Sequence, residues 1–212
     1  VTINLPVYGE VRGLALELDG AVTPAPAFLR PRLMLYGSSI TQGYGVSRPG
    51  MGYAAVLGRL LDCPVYNFGF AGGAKGGAEL GHIFGGISAG ACVYDYDHNA
   101  ESLSHLAETH APFFEAFRAQ QPDTPVVMLS RPDFDEDVPY SVARRAVIRQ
   151  TYADAVARGD KNVYFVDGEQ LFGTAGRDDC TLDRVHPNDL GARRIAAYLS
   201  DILRKIYDNG RR

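Results

Sequence analysis

No stretch of this 212-residue sequence approaches the roughly 20 consecutive apolar residues that a membrane-spanning helix needs, and its opening residues lack the charged-then-apolar pattern of a secretory leader. A soluble chain is expected, with its compartment, cytoplasmic or secreted, left open. Positive charge is not in excess either: 21 Lys and Arg stand against 25 Asp and Glu, a formal charge of −4. Such a chain lacks the field that draws in a phosphate backbone, so neither nucleic acid nor a membrane is an expected partner. Cysteine is scarce. Cys63, Cys92 and Cys180 are an odd number with no CxxC spacing, which argues against a disulfide framework and a structural zinc site. Internal repeats and low-complexity tracts are also missing.

What is present, at 46% hydrophobic and 22% charged residues, is enough material for one full domain and an appendage. In residues 1–30, Leu14, Leu16 and Leu18 alternate with Ala15 and Glu17 up to Asp19-Gly20, the period of a half-buried strand ending in a turn. Pro24, Pro26 and Pro31 then favour an extended connector. A short N-terminal β-arm is expected there, a remnant of an upstream domain, with the main domain over 31–212. From residue 33 on, apolar runs of about four residues, at 33–36, 65–68, 91–94, 126–129 and 163–166, alternate with helical patterns at 53–61, 111–119, 140–157 and 190–206. Short apolar runs between helices suit strands buried on both faces, so an α/β fold with a five-stranded parallel sheet is expected.

Chemistry in such a sheet gathers beyond the carboxyl ends of the strands. The segments there are Gly37-Ser38-Ser39-Ile40-Thr41, Gly69-Phe70-Ala71-Gly72-Gly73, Asp95-Tyr96-Asp97-His98-Asn99, Ser130-Arg131-Pro132-Asp133, and a last loop reaching Asp183-Arg184-Val185-His186-Pro187. Those parts suit nucleophilic acyl transfer. A serine hydroxyl needs an imidazole to take its proton, and the imidazole needs a carboxylate to fix its tautomer, for which His186 and Asp183 are the candidates. A developing oxyanion needs fixed donors, and the N–H groups of Ser39 and Gly72 with the Asn99 amide can supply three.

At this point the sequence resembles the SGNH or GDSL hydrolases. Gly37-Ser38-Ser39 is similar to their Gly-Asp-Ser block, Gly72 falls at the second-block glycine, Asn99 at the third-block asparagine, and Asp183-x-x-His186-Pro187 at the final block. The resemblance spans about residues 33–206, and Ser39-Ile40-Thr41-Gln42-Gly43 with Ser47-Arg48-Pro49-Gly50 is similar to a bacterial subgroup related to carbohydrate acetylesterases. It implies a flavodoxin-like three-layer α/β/α sandwich, Ser39, His186 and Asp183 as catalytic residues, Ser39, Gly72 and Asn99 as the oxyanion hole, and no cofactor or metal. The implied activity is a serine esterase for small O-acyl esters, acetyl on a carbohydrate or glycosylated metabolite. The alternatives are acyl transfer, lipase or thioesterase activity, or a catalytically silent carbohydrate-binding module. Two departures stand out: Ser38 replaces the acidic residue of the first block, leaving Ser38 as the alternative nucleophile, and Asp97-His98-Asn99-Ala100 replaces Gly-x-Asn-Asp. Tyr44, Arg48, Lys75, Glu79, Tyr96 and Arg131 lie on or beside these loops and are expected as substrate-binding walls. Oligomeric state is left open.

Competing motifs fail on placement. The glycines at 72, 73, 76 and 77 lack the GxxxxGK[ST] order, and Gly50-Met51-Gly52-Tyr53-Ala54-Ala55 does not directly follow a strand. The G-x-S-x-G elbow is absent because Thr41 takes the second glycine position and a loop is expected after the serine. His82, His98, His105 and His110 have no ligand spacing, Asp95 and Asp97 suit capping and loop hydrogen bonds, Asp133, Asp135, Glu136 and Asp137 suit a solvated cluster, and Cys180 an inert thiol.

Overall fold

Alternation along β1 (Leu33–Gly37) sets the layering of the molecule. Leu33 and Leu35 enter one apolar cluster, Met34 and Tyr36 the other, and all four are fully buried, so both faces of the strand must be covered. The structure, a computed structural model, describes residues 2–209. In it β1 belongs to a five-stranded parallel sheet ordered β2-β1-β3-β4-β5, with β2 at Val65–Gly69, β3 at Ala91–Asp95, β4 at Val126–Leu129 and β5 at Val163–Val166. Helices α2 (Tyr53–Leu61) and α6 (Asp189–Asn209) cover the Leu33 face, while α3 (Ala78–Gly85), α4 (Leu103–Gln120) and α5 (Val138–Ala157) cover the Met34 face. This is the flavodoxin-like sandwich. Its strand order reverses beside β1, which puts the ends of β1, β2 and β3 at one crevice.

Several elements differ from expectation. β2 is an edge strand rather than one buried on both faces, and Tyr66 lies half-exposed under the Arg32 guanidinium, 4.1 Å from its ring centre. The helix expected over 111–119 starts earlier, at Leu103, where the Ser102 hydroxyl accepts from the His105 N–H at 3.0 Å. Pro112 sits inside that helix, where the buried face of Leu106, Phe113, Phe114 and Phe117 outweighs the lost hydrogen bond. α3 is unexpected. Its glycines mask it, and Gly81 is required by close packing, because a Cβ there would collide with the Phe113 carbonyl of α4.

The β-arm does not form in residues 2–30. The chain bends at Asp19-Gly20, but Leu14, Leu16 and Leu18 remain 57–61% exposed. A strand needs a partner for its N–H and C=O groups, and among the described residues no segment pairs with this one. The segment still touches the domain: Gln42 Nε2 donates to the Val7 carbonyl at 2.7 Å, and Tyr8 meets the Tyr44 ring edge-on at 5.9 Å. Among the described residues no helix is long and apolar enough to cross a membrane.

Candidate active site

β1 runs directly into a short helix, α1 (Ser39–Gln42), where a loop was expected. Ser38 makes the difference. It is fully buried, in extended conformation, and its hydroxyl accepts from the Ile40 N–H at 3.2 Å, so it serves as the N-cap. Gly43, at φ +107°, closes the helix in the left-handed region that favours glycine. Ser39 is the first helical residue and partly exposed. Of the two adjacent hydroxyls, one is consumed by the backbone and the other faces the crevice.

The last loop shapes itself around Asp183. One carboxylate oxygen accepts from the N–H groups of Val185 at 3.1 Å and His186 at 2.8 Å, an Asx turn with Arg184 at φ +72°. The other oxygen is 2.7 Å from His186 Nδ1, and His186 Nε2 is 2.9 Å from Ser39 Oγ. Three residues from loops 147 positions apart are thereby in one hydrogen-bonded line. Slight burial pushes the Asp183 carboxyl up, but the N–H of His186, its ring, and the N–H of Val185 outweigh that and hold the pKa below the usual carboxylate range. Asp189 in the first turn of α6 accepts from the Ser47 N–H at 2.8 Å and hydroxyl at 2.6 Å, tying this loop region to the segment after α1. Cys180 is fully buried, with its thiol against the Gly176 carbonyl at 3.5 Å, and acts as packing.

The loops that carry the expected donors are fastened to one another. The Phe70 N–H donates to the Gly37 carbonyl at 2.8 Å, the Ala71 N–H to Gln42 Oε1 at 2.9 Å, and the Ala74 N–H to Asn99 Oδ1 at 3.3 Å. Gly72 lies in an exposed turn closed by the Gly73 N–H on the Phe70 carbonyl, at φ +70°. Because Asn99 Oδ1 faces the Ala74 N–H, its amide nitrogen is turned away from that contact and left to donate elsewhere. Gln42 is a site residue that sequence reasoning missed: it bridges α1 to the Gly72 turn and to Val7.

The six expected wall residues divide. Tyr44 is 45% exposed and packs on the His186 ring at 4.5 Å between centres, and Arg48 and Glu79 are exposed. Tyr44 and Arg48 border a cavity of about 430 Å³ together with Val7, Tyr8, Ser47 and Leu182. Lys75 instead fastens the Asn99 loop, donating to the Asn99 carbonyl at 2.8 Å and pairing with Glu101 at 3.6 Å. Tyr96 is no wall: it is 1% exposed, its ring lies among Tyr36, His110 and Phe113, and the strand end turns it into the core. Arg131 is buried, with Asp133 holding its guanidinium, and the cavity it borders is lined by Glu136, Val138 and Tyr140 rather than by Tyr44.

Asp133 belongs to a buried charge cluster that sequence reasoning read as solvated. It pairs with Arg131 and, at 2.6 Å, with His98; burial pushes Asp133 up, but His98 and Arg131 hold it below the ordinary carboxylate value. Burial lowers the His98 pKa, and the Asp133 charge more than restores it, leaving it raised. The rest of the acidic run is used at the surface, Asp135 on Arg177, Glu136 on Arg184, and Asp137 as the cap of α5. Among the described residues no group of three or more His, Cys, Asp or Glu side chains is placed to hold a metal ion.

Comparison with known proteins agrees with the fold. No curated protein matches the sequence significantly. Among solved structures, a protein described as a GDSL-like lipase from Bacteroides ovatus is 29% identical, with a TM-score of 0.76 over 86% of this chain and 55% of its own. A family two carbohydrate esterase from Clostridium thermocellum, in complex with cellohexaose, is 16% identical with a TM-score of 0.67, covering 87% of this chain and 66% of its own. A two-domain esterase active on acetylated mannans is 18% identical with a TM-score of 0.59, covering 83% of this chain and 49% of its own. The chain thus spans about half to two thirds of the length of these relatives. Residues 30–204 match the family model of the GDSL-like lipases and acylhydrolases, and the chain belongs to that family.

Proposed function

We propose that this protein is a serine esterase that removes a small acyl group, acetyl above others, from a carbohydrate or glycosylated metabolite. The observation that carries the reading is the line from Ser39 Oγ through His186 to Asp183, with spacings of 2.9 and 2.7 Å. In the first half-reaction His186 Nε2 takes the hydroxyl proton while Oγ bonds to the ester carbonyl carbon, and Asp183 holds the other ring nitrogen protonated and stabilises the imidazolium. The carbonyl electrons collect on oxygen, facing the N–H groups of Ser39 and Gly72 and the Asn99 amide. His186 then returns the proton to the departing alcohol as the C–O bond breaks, leaving acyl-Ser39. Water repeats the sequence, with His186 as base and then acid, and releases the carboxylic acid. The leaving alcohol must lie on the His186 side to receive that proton, which directs it toward the cavity bordered by Tyr44. The carbohydrate side of the proposal is supported by the solved relatives, two of which carry carbohydrate esters or oligosaccharides in their descriptions.

Two experiments test it. A fluorophosphonate probe is expected to label Ser39 in the folded protein, and an unlabelled folded protein would reduce the site to carbohydrate binding alone. Acetate release from a panel of acetylated saccharides and acetylated metabolites, with longer acyl esters, thioesters and alcohol acceptors alongside, is expected to rank acetyl sugars first. A panel that peaks on long chains, thioesters or transfer products would replace the acetylesterase reading with the corresponding one. A separate expectation concerns Asn99: its replacement by Ala should lower kcat by about 10²- to 10³-fold, the usual cost of one oxyanion donor, with a smaller change in KM. A loss under about threefold would remove Asn99 from the oxyanion hole.

A further inference from the structure

Directly behind the Ser39 turn lies a buried carboxyl group that the proton transfer above does not use. Asp95 ends β3 and is 1% exposed. Its Oδ2 accepts from the Thr41 hydroxyl at 2.9 Å and from the Tyr53 hydroxyl at 2.8 Å, and those hydroxyls are 2.9 Å apart. Its main-chain carbonyl accepts from the Ser38 N–H at 3.1 Å. Thr41 belongs to α1 and Tyr53 opens α2, so one side chain joins three elements around the turn that presents Ser39. The approach is close enough that a Cβ on Gly37 would collide with both Thr41 and the Asp95 carbonyl. The sequence comparison drawn above places an acidic residue at position 38, where this chain has a serine committed to capping α1.

We propose that Asp95 is the positioning residue of the Ser39 turn: from the neighbouring strand it clamps α1 through Thr41 and Tyr53 and so holds Ser39 Oγ against His186. The proposal rests on the reading of Ser39 as nucleophile. A carboxyl group this deeply buried is costly to keep, and among the described residues none hydrogen-bonds Oδ1. Two hydroxyl donors directed at a single oxygen bind most strongly when that oxygen is ionised. Burial first, and the charge of Asp97 second, push Asp95 up to about 7, against the opposing pull of His98 and the hydroxyls of Tyr53 and Thr41. These are the charged and titratable groups that face it. The clamp therefore tightens as pH rises through neutrality, and an asparagine at 95 imitates only its loosened, protonated form.

The test compares wild type with Asp95→Asn, each shown by circular dichroism to be folded, using the rate of Ser39 labelling by a fluorophosphonate and kcat on p-nitrophenyl acetate. At about pH 8.5 the variant is expected to lose about 20-fold in both, with KM within about twofold, since a small displacement of an attacking atom costs up to about 100-fold. At about pH 5.5, where wild-type Asp95 is itself protonated, the gap is expected to shrink to within about threefold. Thr41→Val, which removes one donor and keeps the carboxyl, is expected to lose about fivefold at the higher pH and serves if the asparagine variant does not fold. Folded Asp95→Asn that matches wild type at the higher pH, or that shows the same deficit at both, overturns the proposal. In the first case Asp95 is dispensable, and in the second it only supports the fold. Failure of the wild type to label Ser39 would instead remove the nucleophile reading itself, so the two failures are distinguishable.

Discussion

Replacing Ser39 by Ala should lower kcat on p-nitrophenyl acetate by about 10⁴- to 10⁶-fold while leaving the fold in place, the scale on which removal of a serine nucleophile acts in other hydrolases. The size follows from what remains. His186 and the oxyanion donors can still polarise the ester, but the only attacking group is water, which binding does not orient. Stability should change by less than about 1 kcal/mol, because among the described residues the Ser39 hydroxyl hydrogen-bonds only the His186 ring and the cap of α1 is Ser38. Ser38→Ala is the matched control. It removes the hydroxyl that accepts from the Ile40 N–H, so it should cost about 1 kcal/mol of stability and keep Ser39 labelling. Activity within tenfold of wild type in Ser39→Ala would end the acyl-enzyme mechanism, and loss of labelling only in Ser38→Ala would move the nucleophile one residue back.

The largest effect on stability is expected at Arg144, whose guanidinium is wholly buried on the inner face of α5. It donates to the Asp97 carbonyl and, at 2.8 Å, to the Ala100 carbonyl, and it stacks on Tyr140 at 4.2 Å. These carbonyls flank Asn99, so Arg144 holds both ends of the segment that presents the proposed oxyanion amide. Arg144→Met fills similar volume but leaves the buried Ala100 carbonyl without the donor it has here, leaves the Asp97 carbonyl with the Ala100 N–H at 3.3 Å, and removes a positive charge near the buried Asp97 carboxyl. A loss of about 3 to 5 kcal/mol is expected, read as a lower urea midpoint with an unchanged slope. Lysine should not rescue it, since one ammonium cannot reproduce the planar fork that spans two acceptors. Arg158→Met, which breaks an exposed pair with Glu115 where both side chains are more than half accessible, should cost less than about 1 kcal/mol. A loss under about 1 kcal/mol at Arg144 would mean that water satisfies the freed Ala100 carbonyl and the clamp on the Asn99 loop is unimportant.

Much of this architecture is legible in the chain itself where the determining interactions are short in range. Four-residue apolar runs mark β1, β3, β4 and β5 because a strand covered on both faces must be apolar throughout, the edge strand β2 shows more weakly with Asn67 in its run, and the long helices show because one stripe of each faces the sheet. The turn at Ser38-Ser39 and the Asp183-x-x-His186 segment are local as well: the first is a cap, the second an Asx turn, and both form from groups within three residues of each other. Misreadings also have local causes. The glycines of α3 hide a helix in which Gly81 is needed for contact with α4, and the leucines at 14, 16 and 18 alternate like a strand although among the described residues no edge receives them.

The roles of the remaining polar residues were decided by the strand order. Placing β3 beside β1 brings Asp95 under Thr41, 54 positions away, and puts Asp97 and Asn99 next to the loops after β2 and β4. A carboxylate, an arginine or a tyrosine looks alike in sequence whether it faces water or a buried partner. Its charge, pKa and duty depend on which distant group shares its low-dielectric surroundings, and only the folded chain sets that neighbour. That is why Ser39, His186 and Asp183 could be singled out by residue type and order, while the burial of Tyr96 and Arg131, the clamp at Asp95 and the anchoring of the Asn99 loop by Arg144 belong to the tertiary structure.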